Sequence, residues 1–158
     1  MDTISVGKRL VLHLGVIIQP YRSVSRSKKR IVRATDTGQV AQWLEDKYAL
    51  METFFDRYGA RIGEAYANGF AGYLENILSG APASSDPFGQ ANSQVEIWFR
   101  NAIATQEAEH WGIPGTPTKA ALMGVNHRLK HPYRRSNPRR PSFLDTGLYM
   151  GNFKVWWD

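Results

Sequence analysis

The residues best equipped for chemistry lie scattered along the chain. His127 and His131 stand four apart in a stretch that reads as helical, which places both imidazoles on one face, within reach of one metal ion. The residues just before His131 are Arg128, Leu129 and Lys130, which supply no carboxylate base and repel a cation. The pair reads better as surface or capping histidines near a helix C-terminus, where the dipole favours His⁺. Glu107, Glu109 and His110 are close in sequence, but successive helical residues do not face one another. Glu45, Asp46, Glu52 and Asp56 fit the solvated side of an amphipathic helix. Ser79-Gly80 and Ser84-Ser85 lack the Gly-x-Ser-x-Gly setting of an activated serine. Gly59, Gly63, Gly69 and Gly72 are not followed by the Gly-Lys-Ser/Thr of a phosphate loop. No cysteine is present, so thiolate chemistry and disulfides are excluded, which fits a reducing compartment. No catalytic, cofactor-binding or metal-ligating residue is assigned, and no enzymatic activity or cofactor is expected.

The remaining chemistry is electrostatic. The net charge of +6 divides into blocks. Residues 1–34 hold eight bases and one acid, and residues 116–158 hold eight bases and two acids. Between them, residues 35–80 carry three bases against seven acids, and residues 81–115 one base against four acids. Basic ends around an acidic middle suit head-to-tail contacts between copies, or contact with a polyanion. Arg22, Arg26, Lys28, Lys29, Arg30 and Arg33 lie in a serine-rich basic loop or arm spanning residues 20–34. Arg134, Arg135, Arg139 and Arg140 lie in an extended Pro/Arg-rich segment, residues 132–142. These ten are the candidate contacts to DNA phosphates or to a partner protein. A sequence-specific reader needs a basic recognition helix, and Lys119, Asn126, Arg128 and Lys130 make a thin one.

The element expected to organise the rest is helical. From Asp36 to Gly80 the apolar residues recur in steps of three, four and one, the signature of a helix with one wide apolar stripe. Asp36 suits its cap, with Gln39 reaching back, and Gly80 followed by Pro82 suits its end. Its four interior glycines each cost about 1 kcal/mol relative to Ala, so the stretch reads as one long helix or as two meeting near Tyr58-Gly59. Its aromatic stripe (Tyr48, Phe54, Phe55, Tyr58, Tyr66, Phe70, Tyr73) reads as core or subunit interface rather than as a platform for bases. Residues 4–20 alternate and are β-branched, so a strand is expected there, ended by Pro20. A second helix is expected from a cap at Asn92 or Ser93 to about Trp111. A third should run from a Thr116 cap, with Pro117 first, to about His131. After the Asp145-Thr-Gly turn, Tyr149, Phe153, Val155 and Trp157 should share one face of a closing strand, which pairs most simply with residues 4–18. The expectation is a single α+β domain over residues 1–158: a long amphipathic helix and two shorter ones packed on a small antiparallel sheet from the N- and C-terminal strands, with extended basic arms. Residues 10–18 are too short to span a membrane. They contain His13 and lead into Gln-Pro-Tyr-Arg rather than a small-residue cleavage site, so a signal peptide is not expected either.

Five motifs in order, GVIIQPY, TGQVAQWLEDKYALMETFF, DPFG, PTKAALMGVNHRLKHPY and RPSFLDTGLYMGNFKVW, resemble the small neck or tail-completion proteins of tailed bacteriophages. The closing Asp-Thr-Gly-Leu turn leading into a strand is the most recognisable part. The resemblance covers most of the chain, and residues 22–33 match nothing in it. It implies a structural virion protein at the head–tail junction, assembled in the host cytoplasm into a homo-oligomeric ring around the DNA channel. Its partners would be portal-side connector proteins and other neck and tail proteins, with unspecific contact with packaged DNA and none with membrane. It leaves open whether the ring is connector, stopper, collar or tail terminator. The alternative from another class is a soluble DNA-binding protein that contacts phosphates through its basic segments.

Overall fold

The computed structural model describes residues 10–21, 35–82, 85–125, 138–144 and 146–158. The basic stretch 22–34 and residues 126–137, with His127 and His131, lie outside them. The chain is α+β. In order come β1 (Leu12–Val16), α1 (Thr37–Tyr48), α2 (Leu50–Leu78), α3 (Gly89–Ala104), a 3-10 turn (Glu107–His110), α4 (Lys119–Leu122), α5 (Leu148–Gly151) and β2 (Phe153–Trp157).

The long helical stretch divides, but at Ala49 rather than near Tyr58-Gly59. Asp36 caps α1 by accepting the Gln39 amide at 2.8 Å. Thr37, fully buried, bonds its hydroxyl to the Ile17 carbonyl at 2.6 Å and accepts the Gln19 amide at 2.7 Å, fastening the helix start to the end of β1. Ala49 then takes a left-handed conformation, φ 45° and ψ 48°. Such a residue costs roughly 1–2 kcal/mol when it is not glycine. Glu45 offsets that: its carboxylate accepts the Met51 and Glu52 amides, at 2.8 and 3.0 Å, and so serves the otherwise unpaired N-terminus of α2. Glu45 is thus a cap rather than a solvated surface carboxylate. The glycines do not interrupt α2, whose burial of Leu50, Phe54, Ile62 and Tyr66 outweighs their propensity cost. Gly69 has a use, since a Cβ there would come within 3.3 Å of the Pro87 carbonyl.

The core lies between α2, α3 and the end of the chain. Phe99 stacks on Phe153 at 3.9 Å between centroids, and Phe54 meets Phe99 edge-on at 5.2 Å. All three are fully buried, beside Val95, Ile103 and Leu50. β1 and β2 form the expected antiparallel pair, with Leu12 opposite Trp157 and Val16 opposite Phe153. Phe153 and Val155 turn inward. Tyr149 reaches the same core from α5, not from the strand, because Gly147 at φ 76° starts a helical turn there. On the outer face Trp156 lies over Gly15, where a Cβ would come within 2.7 Å of the ring, and stacks on His13 at 5.4 Å.

Three further boundaries differ from expectation. α3 begins at Gly89, and Asn92, freed from capping, accepts the Tyr66 hydroxyl at 2.6 Å. It ends at Ala104, where Gln106 at φ 66° turns the chain into the 3-10 segment. Thr118, not Thr116, caps α4, which spans four residues within the described part of the expected third helix.

Candidate functional site

Three polar clusters could have formed an active site, and each is internally satisfied. In the first, Tyr58 donates its hydroxyl to both oxygens of Glu107 at 2.8 and 2.9 Å, and Arg57 donates to the Trp111 carbonyl at 2.8 Å. Arg61 stacks over Trp98 at 4.2 Å. Burial, then the hydrogen bond to Glu107 and its charge, push the Tyr58 phenol up to about 12. It is therefore neutral at physiological pH. In the second, Glu96 is buried on α3 and accepts from Arg100 and Lys154, both at 2.9 Å. This ties α3 to β2 as a structural ion triad.

The third cluster absorbs residues expected to meet DNA or a partner. Glu109 is buried, accepts the Ser142 amide at 2.7 Å and pairs with Arg139. Burial pulls its carboxyl up, but hydrogen bonds from Ser142 and the charge and hydrogen bond of Arg139 outweigh this and hold it below the usual range. Ser142 in turn accepts the Thr118 amide at 2.9 Å. Arg140 donates to the carbonyls of Leu144 and Val125. Arg139 and Arg140 thus clamp the 138–144 segment onto the 3-10 turn and α4 instead of reaching out as an arm. Arg22, Arg26, Lys28, Lys29, Arg30, Arg33, Arg134 and Arg135 lie outside the described residues. Glu107, Glu109 and His110 diverge as their spacing requires: Glu107 to Tyr58, Glu109 to Ser142, and His110 to the Gln106 carbonyl at 3.1 Å. Among the described residues no cluster of three potential metal ligands occurs, and no helix is long and apolar enough to cross a membrane.

What the clamp builds is a cleft of about 570 Å³ between α1, α4 and α5. Val40, Trp43, Leu44 and Phe143 line it, with Lys47, Lys119 and Arg140, and among the described residues no acidic one. Phe143 packs edge-on against Tyr48 at 5.2 Å. Tyr149 also borders the cleft, and its buried hydroxyl has no hydrogen-bond partner among the described residues. Burial drives that phenol far above its ordinary value.

The second unusual surface is the end of α2. Phe70 still stacks against Phe88 at 6.2 Å. Beyond it Leu74, Ile77 and Leu78 are 42%, 48% and 86% exposed. Their spacing with Phe70, by four, three and one, puts all four on one stripe.

The sequence pattern runs Trp43 and the α2 stripe together as one continuous apolar face, and the break at Ala49 turns this into two separate surfaces. Comparison of the chain with protein-family models, with curated proteins and with solved structures found no match.

Proposed function

We propose that this chain is a structural protein of a tailed-bacteriophage neck, which assembles into a closed ring between head and tail around the DNA channel. The observation that carries the reading is the projecting end of α2. A monomer in water has no reason to hold a helix stripe of Phe70, Leu74, Ile77 and Leu78 toward solvent, whereas a subunit does. The motif series resembling neck and tail-completion proteins supports the location. The acidic middle and basic ends support contacts between unlike patches, the kind that close into rings. Side chains in this reading act as joints, and the buried ion clusters keep the joint surfaces in shape.

The test is a particle mass. Native mass spectrometry and negative-stain images of the purified chain, at rising concentration, should give a discrete multiple of 17.9 kDa and a ring with a central hole. Phage particles lacking the protein should accumulate as separate heads and tails. A chain that stays monomeric at high concentration, with normal tailed particles forming in its absence, would overturn the proposal.

A further inference from the structure

We infer that the projecting end of α2 in one copy seats in the cleft between α1, α4 and α5 of the next. The partner's identity rests on the ring reading above. The choice of surfaces rests on position, size and charge.

The two surfaces lie at opposite ends of α2. That helix has 29 residues and so extends about 43 Å at 1.5 Å per residue. β2 runs beside it, from Phe153 near Phe54 to Trp157 near Tyr66. The cleft lies beyond the Phe153 end, where α1 joins α2 at Ala49 and α5 precedes β2. The exposed stripe lies beyond the Tyr66 end. One copy therefore offers a projection on one side and a recess on the other.

Size agrees. One helical turn, about 10 Å across and 5.4 Å long, fills roughly 420 Å³. The cleft of about 570 Å³ takes a terminal turn such as that bearing Leu74, Ile77 and Leu78.

Charge agrees as well. Between Tyr66 and Glu96 the chain has no Lys or Arg, while Glu75 and Asp86 lie there. The projecting end is thus apolar and acidic. The cleft is apolar with Lys47 and Arg140 on its walls and, among the described residues, no acid. Glu45, the nearby carboxylate, is engaged in the α2 cap. Two projecting ends brought together would oppose acid to acid, and two clefts base to base. Unlike pairing is the arrangement the charges favour, and an unlike interface repeats around a ring instead of stopping at a dimer.

The chain has no cysteine, so single thiols can be placed at will. Ser79→Cys marks the projecting end and Thr146→Cys marks the cleft; both positions are exposed. Under oxidising conditions, a mixture of the two full-length variants should give a linked dimer containing one of each, and neither variant alone should link. The double variant should give a ladder of linked multimers. Dimers from S79C alone would show like ends pairing and overturn the proposal. Rings that assemble with no cross-link in the mixture would overturn this interface and leave the ring reading standing. Absence of any assembly would overturn both. As a second measurement, replacing Ile77 and Leu78 together with Asp should weaken assembly at least about a hundredfold while leaving the circular dichroism unchanged. Undiminished assembly of that variant would also overturn the proposal.

Discussion

Replacing Arg139 with Ala tests whether the Glu109 cluster holds the cleft wall in place. The Arg139 side chain is 46% exposed, whereas that of Glu109 is 2% exposed. A hydrogen bond between charged groups contributes about 1.5–3 kcal/mol. Because half of the guanidinium stays hydrated in the fold, the expected loss for R139A is nearer 1–2 kcal/mol at neutral pH. Glu109 itself stays partly served by the Ser142 amide. For a chain of this size that corresponds to a fall in melting temperature of about 2–8 °C.

The pH dependence gives the sharper test. The folded carboxyl of Glu109 titrates below its ordinary value of 4.5. Its contribution is therefore fully present above the unfolded value and is lost as pH falls through the lower folded one. Without Arg139 the folded value moves upward and less is lost on acidification. Urea unfolding of wild type and R139A from pH 7 into the acid range should show a gap that is widest at neutral pH and closes as Glu109 protonates in both proteins. Glu109→Gln, which does not titrate, should remove this pH-dependent part altogether. A gap that stays constant with pH, or no gap at pH 7, would refute the account of the cluster. A clamp of this kind also predicts weaker assembly for R139A, since the same 138–144 segment supplies Phe143 to the cleft.

Three other outcomes follow from the packing. Phe153→Ala, at the contact with Phe99 and Phe54, should cost about 3–5 kcal/mol in denaturant unfolding. Glu45→Ala removes the cap at the start of α2 and should cost about 1–2 kcal/mol, with protease sensitivity rising first near Ala49. Tyr58 and Tyr66 are both raised to about 12, chiefly by burial, from an ordinary 10.0. Their contribution is complete below pH 10 and is lost as pH rises toward 12, so thermal melts should fall steadily across that window.

The sequence made the helices and the terminal strand pair legible wherever local pattern and long-range packing agreed. Val155 and Phe153 alternate inward as written, and β2 finds β1 because few other described residues read as strand. It misled where a tertiary contact decided. No local rule marks Ala49 as the break, since alanine is the best helix former and the surrounding stripe is continuous. The break exists because the Glu45 carboxylate can cap a second helix six residues on, an interaction with no compositional signature. The partner of Arg139 is hidden for a related reason. A run of Arg and Pro reads as a solvated arm until a buried Glu109, thirty residues earlier, is seen to need a cation.

The same break accounts for the two surfaces on which the functional reading turns. An unbroken helix from Asp36 to Gly80 would carry Trp43 and Leu78 on one rigid rod and leave no cleft beside α1. By turning at Ala49 the chain folds α1 against β1 and α5, so that Val40, Trp43 and Leu44 become one wall of a recess. α2 meanwhile continues past the last core residue, Tyr66, for three further turns. Local stability alone would favour ending the helix where its burial ends, since the terminal turns have little packing to support them and exposed apolar groups gain nothing from folding. The overhang is intelligible if Leu74, Ile77 and Leu78 are buried after folding, by another molecule. On that view Glu45 is as necessary to assembly as any residue at the contact. E45A should lower ring yield under conditions where the monomer is still folded, whereas a mutation of the exposed Asp56, equally acidic and also on the central stretch, should not.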